Sequence, residues 1–145
     1  MIDGKFEVLM MEDDLGDVRL AQVSLKESKL FITLHVVSDG KEGMDFLRKQ
    51  GKHKEAKTPD LILLDLNMPR MDGRQVLHEI KNDKALKTIP VVILTTSAEG
   101  RDIQSSYSEG ANCYISKPVD FDQFQQVVKQ ISEFWLTVVK LPKGA

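Results

Sequence analysis

Five side chains suited to binding phosphate and metal ions lie in four separate segments of the chain: Glu12 and Asp13, Asp65, Thr95 and Lys117. Each segment follows a short apolar run. Phe6 to Met11 precedes Glu12, Leu61 to Leu64 precedes Asp65, Val91 to Leu94 precedes Thr95, and Asn112 to Ser116 precedes Lys117. If these runs are strands of one parallel sheet, their C-terminal ends share an edge, which is where open α/β sheets bind ligands. Three carboxylates, a hydroxyl and an amine then meet in one crevice. Two carboxylates about 4 Å apart repel by about 4 kcal/mol at an effective dielectric of about 20, so the crowding calls for cations. Lys117 supplies one positive charge. A hard divalent ion supplies the rest, and Mg2+ typically rests on one or two carboxylates, phosphate oxygens and water. A carboxylate beside such an ion points to phosphoryl transfer, with Asp65 as the nucleophile. Glu12 and Asp13 would hold the ion with a backbone carbonyl near Asn67. Lys117 would pair with one phosphoryl oxygen, and Thr95 would donate a hydroxyl hydrogen bond to another.

Each group also has an ordinary structural use. Asp65 reads as a solvated acid at a strand end, Asp13 or Asp14 as the cap of a first helix, Thr95 as a strand residue, and Lys117 as a solvated charge before Pro118. The case for a site is that these uses would have to coincide at four strand ends.

The elements that position these residues follow from hydrophobic periodicity. Leu61 to Leu64 runs without a polar break, as expected of a strand buried on both faces, and Pro69 and Gly73 punctuate the turn after Asp65. The other strands are Phe6 to Met11, Ile32 to Val37, Val91 to Leu94 and Asn112 to Ser116. Between them, Val18, Ala21 and Leu25 predict a helix from about Leu15 to Lys29, with Asp17 favouring its first turn. Ser38 to Gly40 reads as a turn. Met44, Phe46 and Leu47 mark a second helix ending near Gly51, and polar Lys52 to Thr58 reads as a surface loop. Val76, Leu77 and Ile80 give a third helix, from about Arg74 to Asn82. A weaker fourth spans about Gly100 to Glu109, and a last runs from about Phe121 to Val139 with Phe124, Val127, Val128, Ile131 and Trp135 inward. Five strands alternating with five helices predict an α/β, doubly wound, five-stranded parallel sheet with right-handed crossovers.

Composition bounds the function. The 145 residues fit one domain, 41% apolar and 29% charged, as in ordinary globular proteins. A formal charge of −2 offers no basic field for nucleic acid, and no DNA-binding domain is expected. The single cysteine, Cys113, excludes an intrachain disulfide and a cysteine zinc site, and reads as a small buried hydrophobe. No apolar run approaches the roughly 20 residues of a membrane span, and the N-terminus lacks the features of a signal peptide. A cytoplasmic protein is expected.

The constellation resembles the receiver domain of two-component response regulators. The matching pieces are Met11 to Asp14, Leu63 to Pro69 with Asp72 and Gly73, Val92 to Thr96, and Tyr114 to Pro118, in family order over about residues 6 to 133. The resemblance implies a flavodoxin-like (βα)5 fold with strand order 2-1-3-4-5. It implies that Asp65 accepts a phosphoryl group from the phosphohistidine of a sensor histidine kinase. Asp13, Asp65 and the Asn67 carbonyl would ligate Mg2+, with Glu12 acting largely through water. Thr95 and Lys117 would be the switch hydroxyl and the phosphate-pairing lysine, and Tyr114 the switch aromatic; Tyr114 also reads as a half-buried core residue. Signalling would run through the face formed by the fourth helix, the fifth strand and the last helix. A protein of this kind catalyses only its own phosphoryl transfer and dephosphorylation. Within the family the chain is most similar to the stand-alone regulators that serve bacterial phytochromes, through Glu12-Asp13, Thr95-Thr96-Ser97, Asn112 to Tyr114, and Phe134 to Leu136 with Val138 to Pro142. That likeness suggests a phytochrome-type kinase.

A single domain is expected to fill the chain, with only a short extension, about 134–145, and no output domain. Apolar Phe134, Leu136, Val139 and Leu141 exceed what the last helix needs for its own core, which suggests a homodimer through that helix. Two other readings compete. A phosphatase with an aspartyl intermediate usually carries a second Asp two residues after the nucleophile, where this chain has Asn67. A phosphorylation-independent docking or adaptor module would keep the fold without the chemistry.

Overall fold

The structure is a computed structural model that describes residues 6–27, 32–95, 110–111, 113–116 and 126; Phe6, Ser24, Leu25, Glu27, Thr95 and Cys113–Ser116 are described by their backbone. The expected fourth helix, the expected last helix apart from Gln126, Lys117 and the C-terminal extension with its proposed dimer face lie outside the described residues.

Five parallel strands form one sheet in the order β2-β1-β3-β4-β5, as expected. They are β1 (Phe6–Met11), β2 (Ile32–Val37), β3 (Leu61–Asp65), β4 (Val91–Thr95) and β5 (Cys113–Ser116). Three helices are described between them: α1 (Leu15–Glu27), α2 (Gly40–Arg48) and α3 (Gly73–Lys81). Every residue of β3 is buried, because strands flank it on both sides and helices cover the sheet. Burying one such leucine is worth about 1.5–3 kcal/mol. Leu9 and Met11 of β1 join Ile62 and Leu64 of β3 in one core with Met44, Phe46 and Leu47 of α2 and Val76, Leu77 and Ile80 of α3. Val8 and Met10 alternate to the other face, where Val18 and Ala21 of α1 are buried outside that cluster. The sheet is therefore doubly wound.

Register brings the site together. Met11 lies beside Leu64, Asp65 beside Leu94, and Thr95 beside Ser116. The residues following β1 thus stand level with the end of β3.

Two expectations are corrected around α2. Asp39 and Gly40 are not a free turn: Asp39 caps the helix, its Oδ1 accepting the Glu42 N–H at 2.8 Å, and Gly40 is the first helical residue. The helix ends earlier than Gly51, on left-handed Lys49 (φ 56°). The Gln50 N–H then closes it on the Asp45 carbonyl at 2.9 Å. The segment read as loop also contains a 3-10 turn, Gly51–His53, which places the His53 ring 5.2 Å from that of Phe46.

Candidate metal centre and phosphoacceptor site

β1 ends in three consecutive acids, and the structure gives each a different task. Asp14 takes the capping role: its Oδ1 accepts the Asp17 N–H at 3.0 Å and its carbonyl accepts the Val18 N–H at 3.0 Å. Glu12 extends β1 by one bond, its N–H donating to the Val37 carbonyl at 3.0 Å. Its side chain is 1% exposed, and Oε2 accepts the Asp14 N–H at 3.1 Å. Asp13, between them, is exposed.

Asp65 closes β3 with its side chain buried, 3% exposed. Its Oδ1 accepts the N–H of Asn67 at 3.1 Å, which turns the chain out of the sheet. The turn is held from behind by α3. Asp72 caps that helix, accepting the N–H groups of Arg74 and Gln75 at 2.9 and 3.1 Å, and Gln75 returns the bond to the Asp72 N–H at 3.3 Å. The Gly73 N–H donates to the Leu66 carbonyl at 3.0 Å. A Cβ on Gly73 would press on the Asp65 carbonyl oxygen and lie 2.6 Å from Leu66 Cα. Only glycine lets α3 start so close to Asp65.

Glu12, Asp13 and Asp65 offer carboxylate oxygens that all lie within 4.8 Å of one another. Hard cations bind oxygen at about 2.0–2.6 Å, so oxygens on opposite sides of one ion stand up to about 5 Å apart. The spacing therefore accommodates a single ion. An all-carboxylate set suits Mg2+, Ca2+ or Mn2+ over softer metals. Among the described residues this is the sole cluster of three or more His, Cys, Asp or Glu with such spacing. A cation here would offset the mutual repulsion of these acids, two of which, Glu12 and Asp65, are buried and so little screened.

Of the residues singled out in the sequence, the structure brings Glu12, Asp13 and Asp65 together and sets Asn67 on the turn beside Asp65. The backbone of Thr95 ends the neighbouring strand β4, and that of Tyr114 lies in β5 beside Ile93. Lys117 lies outside the described residues. Sequence reasoning read Gly73 as turn punctuation without its close packing on Asp65, and missed the Asp39–Arg70 pair beside the turn. Asp39 and Asp72 each show a capping signature, with Glu42 and Gln75 three residues later. Arg70 left no signal.

Residues 8–129 match the response regulator receiver domain. Response regulator Rcp1 of Synechocystis sp. is 44% identical over 135 residues, covering 93% of this chain and 92% of that protein. The solved structure of the phosphorylated cyanobacterial phytochrome response regulator RcpA superposes with a TM-score of 0.85 at 47% identity, covering 96% of this chain and 99% of that one. The Mn2+-bound form of Rcp1 superposes with a TM-score of 0.83 at 44% identity, covering 94% and 99%. With the acid cluster on the strand ends and a match through nearly the whole length, the chain belongs to the response regulator receiver domain family.

Proposed function

We propose that this receiver domain accepts a phosphoryl group on Asp65 from the phosphohistidine of a sensor histidine kinase, in a reaction that depends on Mg2+. The observation that carries this reading is the convergence of Glu12, Asp13 and Asp65 within 4.8 Å. Metal binding at such a cluster is supported by the Mn2+-bound relative. Asp13 and Asp65, with the Asn67 carbonyl, would hold the ion, and Glu12 would act largely through water. When bound, the ion supplies positive charge against the phosphoryl oxygens and lowers the repulsion that Asp65 presents to an anionic donor.

The rest is the work of the chain. An Asp65 carboxylate oxygen attacks phosphorus as the phosphorus–nitrogen bond to the donor imidazole breaks, and the bonding pair stays with that imidazole. The Asn67 N–H on Asp65 Oδ1 fixes which way the carboxylate turns. Thr95 donates to one phosphoryl oxygen and Lys117 pairs with another, and Tyr114 turns inward as Thr95 moves. The changed face of the fourth helix, β5 and the last helix then carries the signal. The two relatives, one of them named as a cyanobacterial phytochrome regulator, support a phytochrome-type kinase as the donor.

Incubation with acetyl phosphate and Mg2+, followed by intact mass, tests the reading. Wild type is expected to gain one phosphoryl group, and neither Asp65→Asn nor protein treated with a chelator should gain any. A wild type that stays unmodified would refute the proposal and favour a docking module.

A further inference from the structure

The β3–α3 loop, which carries Asn67, is pinned at two places. One pin is Gly73 against the end of β3, described above. The other joins the loop to the start of α2. Arg70 has φ 69°, a left-handed conformation that side chains rarely adopt. Such a residue persists where its surroundings over-determine it. Arg70 Nη1 donates to Asp39 Oδ2 at 3.2 Å. The Asp39 side chain is 11% exposed, and its two oxygens divide their work: Oδ1 caps α2 and Oδ2 takes Arg70. Beside this pair, a Cβ on Gly40 would collide with the Met71 carbonyl oxygen and lie 2.8 Å from Val76 Cγ2, so the start of α2 touches the loop backbone. The Met71 N–H folds back on the Pro69 carbonyl at 2.8 Å, tightening the stretch between the pins.

We infer that Asp39 and Arg70 are positioning residues for the cation site: their ion pair sets the β3–α3 loop, and with it the place of the Asn67 carbonyl. This rests on the reading that the Asn67 carbonyl completes the ligand set. Neither residue is itself a ligand. Asp39 is anchored by the N-terminus of α2 and so transmits the position of that helix to the loop.

Calorimetric titration with MgCl2 on wild type, Arg70→Gly and Asp39→Asn tests the inference. Glycine tolerates the left-handed backbone and asparagine preserves the cap, so each variant removes the ion pair and little else. Changing groups that orient metal ligands typically costs 10- to 100-fold in affinity. Arg70 is more than half exposed, so about tenfold, the lower end of that range, is expected for both variants. The sign for Arg70→Gly decides the matter. Removing a positive charge would tighten Mg2+ binding if charge alone acted, whereas lost positioning weakens it. The double variant should lose no more than the worse single one, because one interaction is removed in each case. In metal-free protein, amide exchange across residues 66–73 should quicken in Arg70→Gly while β1 and β3 keep their protection. Arg70→Gly protein that binds Mg2+ as well as wild type or better, or whose loop exchange is unchanged, would overturn the inference. Wild type that takes up no Mg2+ would overturn the cation reading, and the inference with it.

Discussion

Gly73→Ala tests whether close packing of α3 on β3 matters to the chemistry at Asp65. The added Cβ would lie 2.6 Å from Leu66 Cα and 3.0 Å from the Asp65 carbonyl carbon, where ordinary contact begins at 3.4 Å. Both obstacles are backbone, so no rotamer change clears them. The first turn of α3 and the end of β3 must separate by a large fraction of 1 Å, an overpacking that costs about 1–3 kcal/mol. Reduced freedom of the unfolded chain returns about 0.4–1 kcal/mol of this, leaving a net loss on the order of 1–2 kcal/mol. The displaced atoms belong to Asp65 itself, and a misplacement of about 1 Å can slow a reaction by about 100-fold. Urea unfolding reads the first quantity, and the rate of phosphoryl uptake from acetyl phosphate with Mg2+ reads the second. Gly51→Ala is the control. Gly51 has φ 60° and nothing within 4 Å of an added Cβ, so alanine meets backbone strain alone, about 1–2 kcal/mol. It follows α2, whose nine residues put it about 13 Å along the helix from the Asp39 cap. The two variants should lose similar stability, and only Gly73→Ala should lose rate. Equal slowing in both, or a wild-type rate in Gly73→Ala, would refute the reasoning.

Three further outcomes are expected. Leu64→Ala, at a position with 0% exposure, should cost about 2–5 kcal/mol in denaturant unfolding. Leu15→Ala, at an 83% exposed position, should stay within about 0.5 kcal/mol of wild type. Burial pushes the Glu42 carboxyl up, but hydrogen bonds from Lys52 and His53, and their charges, outweigh it and leave its pKa below the ordinary glutamate value. The folded protein thus binds this proton less readily than the unfolded chain. The resulting stabilisation is complete above the ordinary glutamate pKa and is lost as pH falls through the lowered one. Wild type should therefore exceed Glu42→Gln in stability at neutral pH, with the gap closing across that acidic window in pH-dependent unfolding curves. A gap that widens on acidification would contradict the assignment.

The sheet was legible because its central strands, β3 and β4, carry unbroken apolar runs. Leu61 to Leu64 and Val91 to Leu94 fit a strand covered on both faces, and Asp65 and Thr95, which follow them, mark the candidate functional edge. The start of α2 was hidden because Gly40 to Gly43 contains no apolar residue. That helix is defined there by the Asp39 cap and by Gly40 packing on Met71, neither of which leaves a periodic trace. The 3-10 turn was hidden for the opposite reason. Its composition is polar, yet His53 is held by Phe46 and by Glu42 at 3.1 Å, contacts that arise from tertiary structure. At the site, residue types indicated the carboxylates, but the division among Glu12, Asp13 and Asp14 required geometry. Asp13 and Asp14 are both chemically fit to cap α1, and the backbone geometry selects Asp14. Arg70 illustrates the limit: its side chain meets Asp39, a residue far away in sequence.

The acids from the ends of β1 and β3 meet only because those strands lie side by side in register. An unfolded chain scatters them and has no comparable place to lodge an ion. Occupancy and folding are therefore thermodynamically linked, and an ion present at about 100 times its dissociation constant would add about 2.7 kcal/mol to the folded state. The melting temperature of this protein would then serve as a gauge of divalent ion concentration, readable without phosphate or kinase.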